Sequence, residues 1–478
     1  MATFALLIWP ILALVIFAHA KFVPAIITAA VVPYLLLPEA FAIPLPGLPD
    51  LDKTAIISIG LVAGIVIYRK RARAKAELTE LNTANRGAAV MLLSLLAIVV
   101  VGIVFTVMGN REMLVFGPTV LPAMRSWDAI SLIGDLTLLL IPFFIARRYL
   151  ATQKEHRALL TAFVIAGLFY SLLMLVEIRL SPQLHRWVYG YHQSSFLQHI
   201  RDGFRPMVFL QHGLWVGFLM FMTVMAAAGL WKADRNVKWL WAGGWLLFIL
   251  MISKNLGAVM IAFLCLGIFF IFLRKMQIWA VIAIALTTLT YPALRQAEFI
   301  PLDEILAAAS LVSEDRAQSL EFRLNNEDQL LRRAFEKPLA GWGGWARDRI
   351  YDEYGDDISI SEGTWILVLG SRGWIGYVGF FGLLTFSLFA LSATARRKEI
   401  PYETMALALI CAGNLIYMIP NATLTPIGLM CFGALAGFVQ FDAAKSFGQQ
   451  ADDTQPTRRI PTRYTRFPKD TDEVMSKR

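Results

Sequence analysis

The chain has 478 residues, of which 57% are hydrophobic and only 17% charged, and its mean hydropathy is +0.59. A water-soluble protein of this size could not cover so much apolar surface with polar residues. The net charge of +9 would suggest a nucleic-acid partner in a soluble protein. Here the basic residues lie mainly between apolar runs, so they indicate membrane topology, and no nucleic-acid partner is expected. The three cysteines lie inside apolar runs, which argues against a disulfide framework or a thiolate metal site.

Apolar runs close to the length that crosses a bilayer recur along the chain. Barrel strands would alternate apolar and polar residues, so these continuous runs predict an all-α, polytopic transmembrane helical bundle of about 12 to 13 spans. The N-terminal segment lacks a basic n-region and is predicted to be the first span. The predicted spans are residues 4–18, 22–40, 54–68, 88–108, 128–146, 158–178, 207–230, 239–252, 256–273, 277–294, 364–392, 403–419 and 425–441.

The distribution of Lys and Arg predicts which loops are cytoplasmic. With thirteen spans, the basic loops 69–75, 146–157, 232–238, 274–275 and 396–398 all fall on one side, and the N-terminus falls on the other. The resulting organisation is ten transmembrane helices in 1–294, one large helical outer loop in 295–362, three further helices in 363–441, and a disordered cytoplasmic tail in 442–478.

Arginines on the outer side contradict the general depletion of positive charge there. Arg201 and Arg205 lie in a segment that also carries several histidines, and Arg205-Pro206 is expected to open a spanning helix. Arginine forks bind phosphate in a bidentate way, whereas the alternative is interfacial snorkelling with acidic partners. His212 is expected just inside the same span, where a histidine serves either structure or substrate binding.

The large outer loop adds a second set of basic residues. Arg316 and Arg323 are seven positions apart, so on a helix they share a face, and Arg332 lies further along. Pro338 should end this helix, before a glycine-rich turn that contains Trp342. We expect substrate binding from Arg316, Arg332 and Trp342; the alternative is an amphipathic helix with solvated salt bridges.

Carboxylates lie at two predicted helix starts, where each could take part in chemistry or simply cap the helix. Glu362 precedes the helix that begins near residue 364, where it serves either as a general base or as a helix cap. Asp50 and Asp52 form a D-x-D pair that is suited to a metal beside a pyrophosphate, but helix capping is the simpler explanation. No metal site and no cofactor are therefore predicted.

The order of four short motifs resembles the O-antigen ligase and O-antigen/exopolysaccharide polymerase family, over residues 200 to 440. The motifs are the arginine-led segment 205–209, the turn Ser253-Lys254-Asn255, the Pro-Leu-x-Gly-x-Gly stretch 338–343, and Gly373-Trp374-Ile375-Gly376. The family's His-Asn pair before the late helix has no counterpart here, because Glu362-Gly363 stands in its place.

The resemblance implies a multi-pass protein of the bacterial inner membrane that acts in cell-surface polysaccharide synthesis. A glycan on polyprenyl pyrophosphate would be transferred, at the periplasmic side, to the hydroxyl of a glycan or lipid acceptor, as in lipopolysaccharide ligation or polymerisation. Arg205, Arg323 and Glu362 would be catalytic, and other polysaccharide assembly proteins would be partners along with membrane lipids. Residues Arg201, Arg316, Arg332, His212 and Trp342 would bind substrate.

Three other classes remain open. A transporter or lipid-linked glycan flippase predicts charged residues deep within several helices, and Glu39, Asp135, Glu177 and Lys254 are the candidates. A metal-dependent glycosyltransferase of a different fold would use Asp50 and Asp52. A structural subunit of an export complex is the third alternative.

Overall fold

The computed structural model describes residues 1–45, 49–69, 81–83, 85–200, 203–311, 314–360 and 363–443. These residues form sixteen α-helices and four three-residue strands. The helices are Ala2–His19 (α1), Phe22–Leu36 (α2), Lys53–Arg69 (α3), Arg86–Met108 (α4), Ser126–Tyr149 (α5), Gln153–Leu180 (α6), Leu184–Tyr189 (α7), Gly213–Asp234 (α8), Val237–Ile252 (α9), Leu256–Ile271 (α10), Arg274–Gln296 (α11), Leu302–Ser310 (α12), Glu314–Glu336 (α13), Thr364–Thr394 (α14), Tyr402–Tyr417 (α15) and Pro426–Gln440 (α16). The strands form two antiparallel pairs, Leu81–Thr83 (β1) with Phe441–Ala443 (β4), and Leu114–Phe116 (β2) with Thr119–Leu121 (β3).

The predicted all-α helical bundle is confirmed. Each of the thirteen predicted spans overlaps one helix. Among the described residues, seven helices are long and apolar enough to cross a membrane, namely α1, α4, α5, α6, α8, α11 and α14, and five more are shorter and apolar. The chain is therefore built as a multi-pass membrane protein. The predicted tail lies outside the described residues from position 444 onward.

Helix α8 lies at the centre of the bundle. Of its most apolar window, 83% is buried, whereas only 28–33% of the corresponding windows of α1, α4, α5 and α11 is buried. It packs against α6, α9, α10 and α15, and small residues permit close approach, since Gly229 touches Ala406. The exposed apolar side chains of the outer helices have the composition of a lipid-facing surface.

Six connections meet at one end of the bundle, and we call their described residues the loop face: 37–45, 49–52, 109–125, 181–200, 203–212, 253–255, 297–311, 314–360, 363 and 418–425. The backbone N–H of Glu39 donates to His185 across two of them, and Lys53 donates to the carbonyl of Phe209. The described basic loops contact one another at the other end, since Arg157 pairs with Asp234 and Glu403, and Arg274 lies over the ring of Tyr402. These contacts agree with the predicted grouping of the loops, except that residues 70–75 lie outside the described part of the chain.

A cap covers part of the loop face and consists of residues 109–125 and 297–360. Arg347, whose side chain is fully buried, joins the two parts by donating to the carbonyl of Pro122 and to the carboxylate of Glu112. Phe116, next to the β2–β3 turn, stacks on Tyr351 with a ring-centroid distance of 4.7 Å. The predicted helical stretch of this loop is confirmed as α12 and α13, and α13 ends before Pro338 as expected.

The cap is fixed to α14 where that helix is kinked at Gly373, which has φ 61° and ψ −168°. Segment 338–343 packs against α14 at this kink and forms hydrogen bonds with its backbone. The N–H groups of Trp374 and Ile375 donate to the carbonyls of Pro338 and Leu339, and those of Trp342 and Gly343 donate to the carbonyls of Gly370 and Ser371. Two of these backbone hydrogen bonds connect the motifs 338–343 and 373–376, and the other two bind the first motif to the residues of α14 just before Gly373.

Candidate functional site

A cavity of about 280 Å³ at the loop face brings three cationic side chains together: Arg205, Lys254 and Arg323. We call it the cationic cavity. Its wall also includes His199, His212, residues 213–214 and 255–257, Leu320, Tyr417, Pro420 and Asn421. No Asp or Glu belongs to the described residues that line it. The described wall of the cavity therefore carries three cationic groups.

Arg205 is held by an irregular segment, and the prediction that Arg205-Pro206 opens a spanning helix is wrong. Helix α8 begins at Gly213 instead. The carboxylate of Glu177, at the end of α6, accepts the N–H groups of Met207 and Val208 at 2.8 and 2.7 Å. These bonds, together with the positive φ of Val208, hold residues 206–212 out of the helix. The backbone N–H of Arg205 donates to the carbonyl of His199, which keeps the arginine beside the cavity.

His212 lies in the cavity wall as the N-cap of α8, not inside a span. Its Nδ1 accepts the N–H of Leu214 at 3.0 Å, so Nε2 carries the proton and lies 3.3 Å from the side-chain oxygen of Gln198. Burial, and then the nearby His199, Arg205 and Arg323, lower the pKa of His212 to about 3. His212 is therefore neutral near pH 7 and offers an N–H donor, while the lone pair that a base needs is occupied.

His199 also serves the structure of the wall. Its Nδ1 donates to the carbonyl of Ser195 at 2.7 Å, and its Nε2 accepts the N–H of Gly213 at 2.9 Å. Burial, followed by the charge of Arg205, lowers the pKa of His199. Both ring nitrogens are engaged, so His199 connects the 181–212 loop to the start of α8.

The turn between α9 and α10 supplies Lys254, which has a positive φ of 59°. Asn255 fixes this turn, because its side-chain nitrogen donates to the carbonyl of Gly213 at 3.0 Å. The hydroxyl of Tyr417 lies between the side-chain oxygen of Asn255 and the carbonyl of Leu214. The side-chain oxygen of Asn421, buried in the same wall, has no hydrogen-bond partner among the described residues.

Arg323 comes from α13 and lines a second cavity as well. This apolar cavity, of about 270 Å³, shares Leu320, Arg323 and Pro420 with the cationic cavity. Its other walls, with Asn326 and Glu327 as polar members, are mainly apolar and aromatic side chains: Tyr291, Ile300, Leu302, Ile305, Phe322, Leu324, Ile360 and Ile419. Arg295 anchors α13, since it donates to Asp328 at 2.6 Å and approaches Glu327 at 3.9 Å.

The predicted site residues divide into those that line the cationic cavity, those outside the described residues, and those placed elsewhere, which are Arg332 and Trp342. The structure brings Arg205, Arg323 and His212 together in the cationic cavity. Glu362 and Arg201, and the side chain of Arg316, lie outside what the structure describes. The chain beside Glu362 approaches the cavity, because Thr364 donates to the carbonyls of Met418 and Asn421.

Arg332 and Trp342 do not line the cationic cavity. Arg332 is exposed on α13, whereas Trp342 is buried in the cap. The indole N–H of Trp342 donates to the carbonyl of Arg333 at 2.7 Å, and the Arg333 guanidinium lies 3.4 Å from the centroid of the indole ring. These contacts hold the 338–343 segment against α13, and the substrate-binding role predicted for the two residues stays a prediction.

Sequence reasoning did not select Lys254, His199, Tyr417 or Asn421 as site residues. Lys254 lies within the Ser-Lys-Asn turn that the sequence singles out, and its charge between two apolar runs was the available signal. Tyr417 and Asn421 carry no such signal, because their place in the wall depends on how α15 packs against α8 and α10.

No protein-family model matches this chain, and no curated protein matches it either. The chemistry of the site therefore rests on its own residues. Two guanidinium forks, one ammonium group and one imidazole N–H surround a space with no carboxylate in its described wall. This arrangement suits a ligand with several negatively charged oxygens.

Proposed function

We propose that the chain transfers a glycan from a polyprenyl-pyrophosphate carrier to an acceptor hydroxyl, as O-antigen ligases and polysaccharide polymerases do. The observation that carries the proposal is the meeting of Arg205, Lys254 and Arg323 in one cavity at the loop face. We further propose that this face is periplasmic and that the chain resides in the bacterial inner membrane, because the basic loops lie at the opposite end of the bundle.

The reaction breaks the bond between the anomeric carbon and the pyrophosphate oxygen. The acceptor oxygen forms the new bond to that carbon, and its proton passes to a base. Negative charge grows on the leaving pyrophosphate, and fixed guanidinium groups stabilise charge that develops in this way. Arg205 and Arg323 are the proposed clamps, with Lys254 as a third cation. The Nε2–H of His212, which lies 3.3 Å from the side-chain oxygen of Gln198, is proposed to exchange that partner for a phosphate oxygen.

The identity of the base is part of the proposal. His212 is unsuited, because its Nδ1 accepts the N–H of Leu214 and its pKa is lowered to about 3. We propose Glu362 for this role on the basis of its position in the sequence, next to Gly363 and Thr364. The carbonyls that bind Thr364 belong to residues 418–421, which also contribute to the cationic cavity.

The apolar cavity supports a lipid-linked substrate over a water-soluble phosphate ester. It adjoins the cationic cavity through Leu320, Arg323 and Pro420. A ligand that fills both would carry negative charge beside an apolar chain, which matches the first isoprene units of a polyprenyl pyrophosphate. Burial of such units contributes roughly 0.8 kcal/mol per CH₂ group.

A transporter remains the alternative. Of its candidate residues, Glu39 forms a buried ion pair with Lys53 at the loop face. Glu177 accepts backbone N–H groups at the end of α6, and Lys254 lies in a turn of the loop face. Among these candidates only Asp135 lies well within a span. This placement favours a reaction at one surface over passage through the bundle.

Purified protein in vesicles, supplied with polyprenyl-pyrophosphate-linked glycan, tests the proposal. We expect release of polyprenyl pyrophosphate that depends on the protein and on an acceptor. In cells, deletion of the gene should cause the lipid-linked glycan to accumulate. Movement of the intact lipid-linked glycan across the vesicle membrane without sugar transfer would favour the transporter and overturn the proposal.

A further inference from the structure

Two more cavities lie at the loop face, and the reaction described above does not use them. The larger, of about 650 Å³, is lined by the carboxylates of Asp50, Asp52, Asp128 and Asp135, and we call it the acidic cavity. The smaller, of about 270 Å³, contains Lys53 and Glu39 in its wall, and we call it the Lys53 cavity. The two share Asp52 and Thr54, so they adjoin one another, and we call the pair the depression.

We propose that this depression binds an uncharged glycan, which in the proposed function is the acceptor. Only the role of this glycan as the acceptor rests on the proposed function. The binding of an uncharged glycan stands on the residues described below and is tested separately.

The Lys53 cavity has a polar wall built from buried groups. The Lys53 ammonium donates to Glu39 at 2.8 Å and to the carbonyl of Phe209 at 3.2 Å, and the side chains of Lys53 and Glu39 are 8% and 11% exposed. A buried ion pair of this kind is weak evidence for stability, because both charges lose their hydration. It does fix a donor and an acceptor at the wall of a cavity.

Tyr34 supplies an unsatisfied polar group in the same wall. Its side chain is 1% exposed, and its hydroxyl has no hydrogen-bond partner of acceptable geometry among the described residues, although Thr425 lies nearby. A buried hydroxyl without a partner costs free energy unless a ligand or water completes it. A sugar hydroxyl is both a donor and an acceptor and meets that need.

The acidic cavity selects against negatively charged ligands. Asp52 and Asp128 each use one oxygen to accept a backbone N–H near a helix start, which leaves further lone pairs for a ligand. Burial raises the pKa of Asp52, and the neighbouring Asp50 raises it further. Carboxylates accept hydrogen bonds from sugar hydroxyls but repel phosphates and acidic sugars. In the described part of the chain no three His, Cys, Asp or Glu side chains are placed to hold a metal ion.

Two tryptophans of this cavity present large exposed surfaces, 53% for Trp127 and 62% for Trp345. Trp345 belongs to the cap and has a positive φ of 62°, as does Ala346 with 56°. Side-chain-bearing residues are strained at such positive φ values, and strain of this kind is typical of functional sites. The apolar faces of sugar rings pack on indole rings, so these side chains complete a carbohydrate site.

The position of the depression suits an acceptor. Gln211 and Trp215 line the Lys53 cavity, whereas the three residues between them, 212–214, line the cationic cavity. Likewise, Pro420 and Asn421 line the cationic cavity, and Leu424 lines the Lys53 cavity. The same two chain segments therefore separate the site proposed for pyrophosphate from the site proposed for the glycan.

A thiol-protection experiment tests the proposal. Ser131→Cys places a thiol in the acidic cavity, and the natural cysteines are buried. Ser194→Cys, exposed in the 181–212 loop and outside both cavities, is the control. Oligosaccharides released by mild acid from the lipid-linked fraction of the source membranes are separated by anion exchange into neutral and acidic pools. We expect the neutral pool to slow modification of Ser131→Cys about fivefold or more, and the acidic pool to have no effect.

Added substitutions test individual groups. Tyr34→Phe, which keeps the ring, and Trp345→Ala should each raise the half-protecting concentration about tenfold. Trp187→Ala, which removes a tryptophan of similar exposure outside the depression, should not. Absence of protection by the neutral pool, equal protection by the acidic pool, or equal protection of Ser194→Cys would overturn the proposal.

The same variants separate this inference from the proposed function. Adding Arg205→Lys to Ser131→Cys should lower glycan transfer and leave protection unchanged. Transfer that depends on Arg205 without protection would overturn the glycan site alone. Protection without any transfer activity would overturn the proposed function and leave the glycan site in place.

Discussion

A Cβ atom at Gly341 would lie 2.5 Å from the backbone nitrogen of Gly373. Both glycines have positive φ values, 69° and 61°, which side-chain-bearing residues rarely adopt. They belong to the two short glycine motifs of the sequence, and four backbone hydrogen bonds connect segment 338–343 to α14. The motifs therefore attach the cap to α14, which places Arg323 of the cap over the bundle.

Substituting either glycine should loosen this attachment. We expect Gly341→Ala and Gly373→Ala each to lower the free energy of unfolding by about 1 to 3 kcal/mol, from backbone strain and close contact. Thermal unfolding of the purified protein in detergent measures the effect. Gly344→Ala is the matched control, since a Cβ there meets nothing within 4 Å. Equal unfolding temperatures for all three variants would contradict the proposed attachment.

Membrane orientation follows from the basic loops. Ser194→Cys and Glu353→Cys, exposed at the loop face, should react with a membrane-impermeant thiol reagent in intact spheroplasts. Lys154→Cys and Lys275→Cys, exposed at the opposite end, should resist it until the membrane is opened. The reverse pattern would place the cationic cavity in the cytoplasm.

The helices could be predicted from the sequence because the bilayer sets their length and hydropathy. Even the separation of α1 from α2 and of α9 from α10 followed from short polar or basic breaks. The start of α8 could not be predicted in this way. Pro206 is a typical first-turn residue, but the carboxylate of Glu177, distant in the sequence, binds the N–H groups of Met207 and Val208. A tertiary contact thus overrides the local signal.

In the candidate site, too, some residues could be predicted from the sequence and others depend on tertiary contacts. Arg205 stood out because positive charge is unusual on the outer side of a membrane protein, and Arg323 because it shares a helix face with Arg316. Trp342 stood out for its glycine-rich context, but its indole donates to the carbonyl of Arg333 within the cap. Asp52 accepts the N–H of Ala55, so its predicted capping role is confirmed. Its place beside Asp135 in the acidic cavity depends on packing that one sequence does not reveal.

The protonation of His212 predicts how stability depends on pH. Folding lowers its pKa to about 3, whereas an unfolded chain binds a proton near pH ~6.5. The unfolded state therefore holds more protons in this window, and stability falls as pH falls from about 6.5 towards 3. His212→Asn keeps an N-cap side chain but removes the titrating ring. Between pH 7 and pH 4.5, the unfolding temperature of the variant should fall by less than that of the wild type. An equal or larger fall would contradict the lowered pKa of His212.

Glu362 is the proposed base, and its substitution distinguishes catalysis from capping. Glu362→Gln keeps the size of the side chain but cannot accept the acceptor's proton. We expect normal protein level and donor binding with turnover lowered about 100-fold or more, whereas Glu362→Asp should retain part of the activity. Turnover per folded molecule in vesicles is the measurement. Wild-type turnover in Glu362→Gln would remove this residue from the mechanism.

In the proposed function, Arg205 and Arg323 grip a pyrophosphate in the cationic cavity. Lysine keeps the charge but lacks the planar fork, so each arginine-to-lysine change should cost about 1.5 to 3 kcal/mol of transition-state stabilisation. Arg111→Lys, at an exposed arginine of the same face, is the matched control.

The most direct measurement is the release of polyprenyl pyrophosphate by the purified variants in vesicles, per folded molecule. We expect Arg205→Lys and Arg323→Lys to release it about 10- to 150-fold more slowly than the wild type, and Arg111→Lys to be unchanged. Wild-type release by both well-folded lysine variants would contradict it.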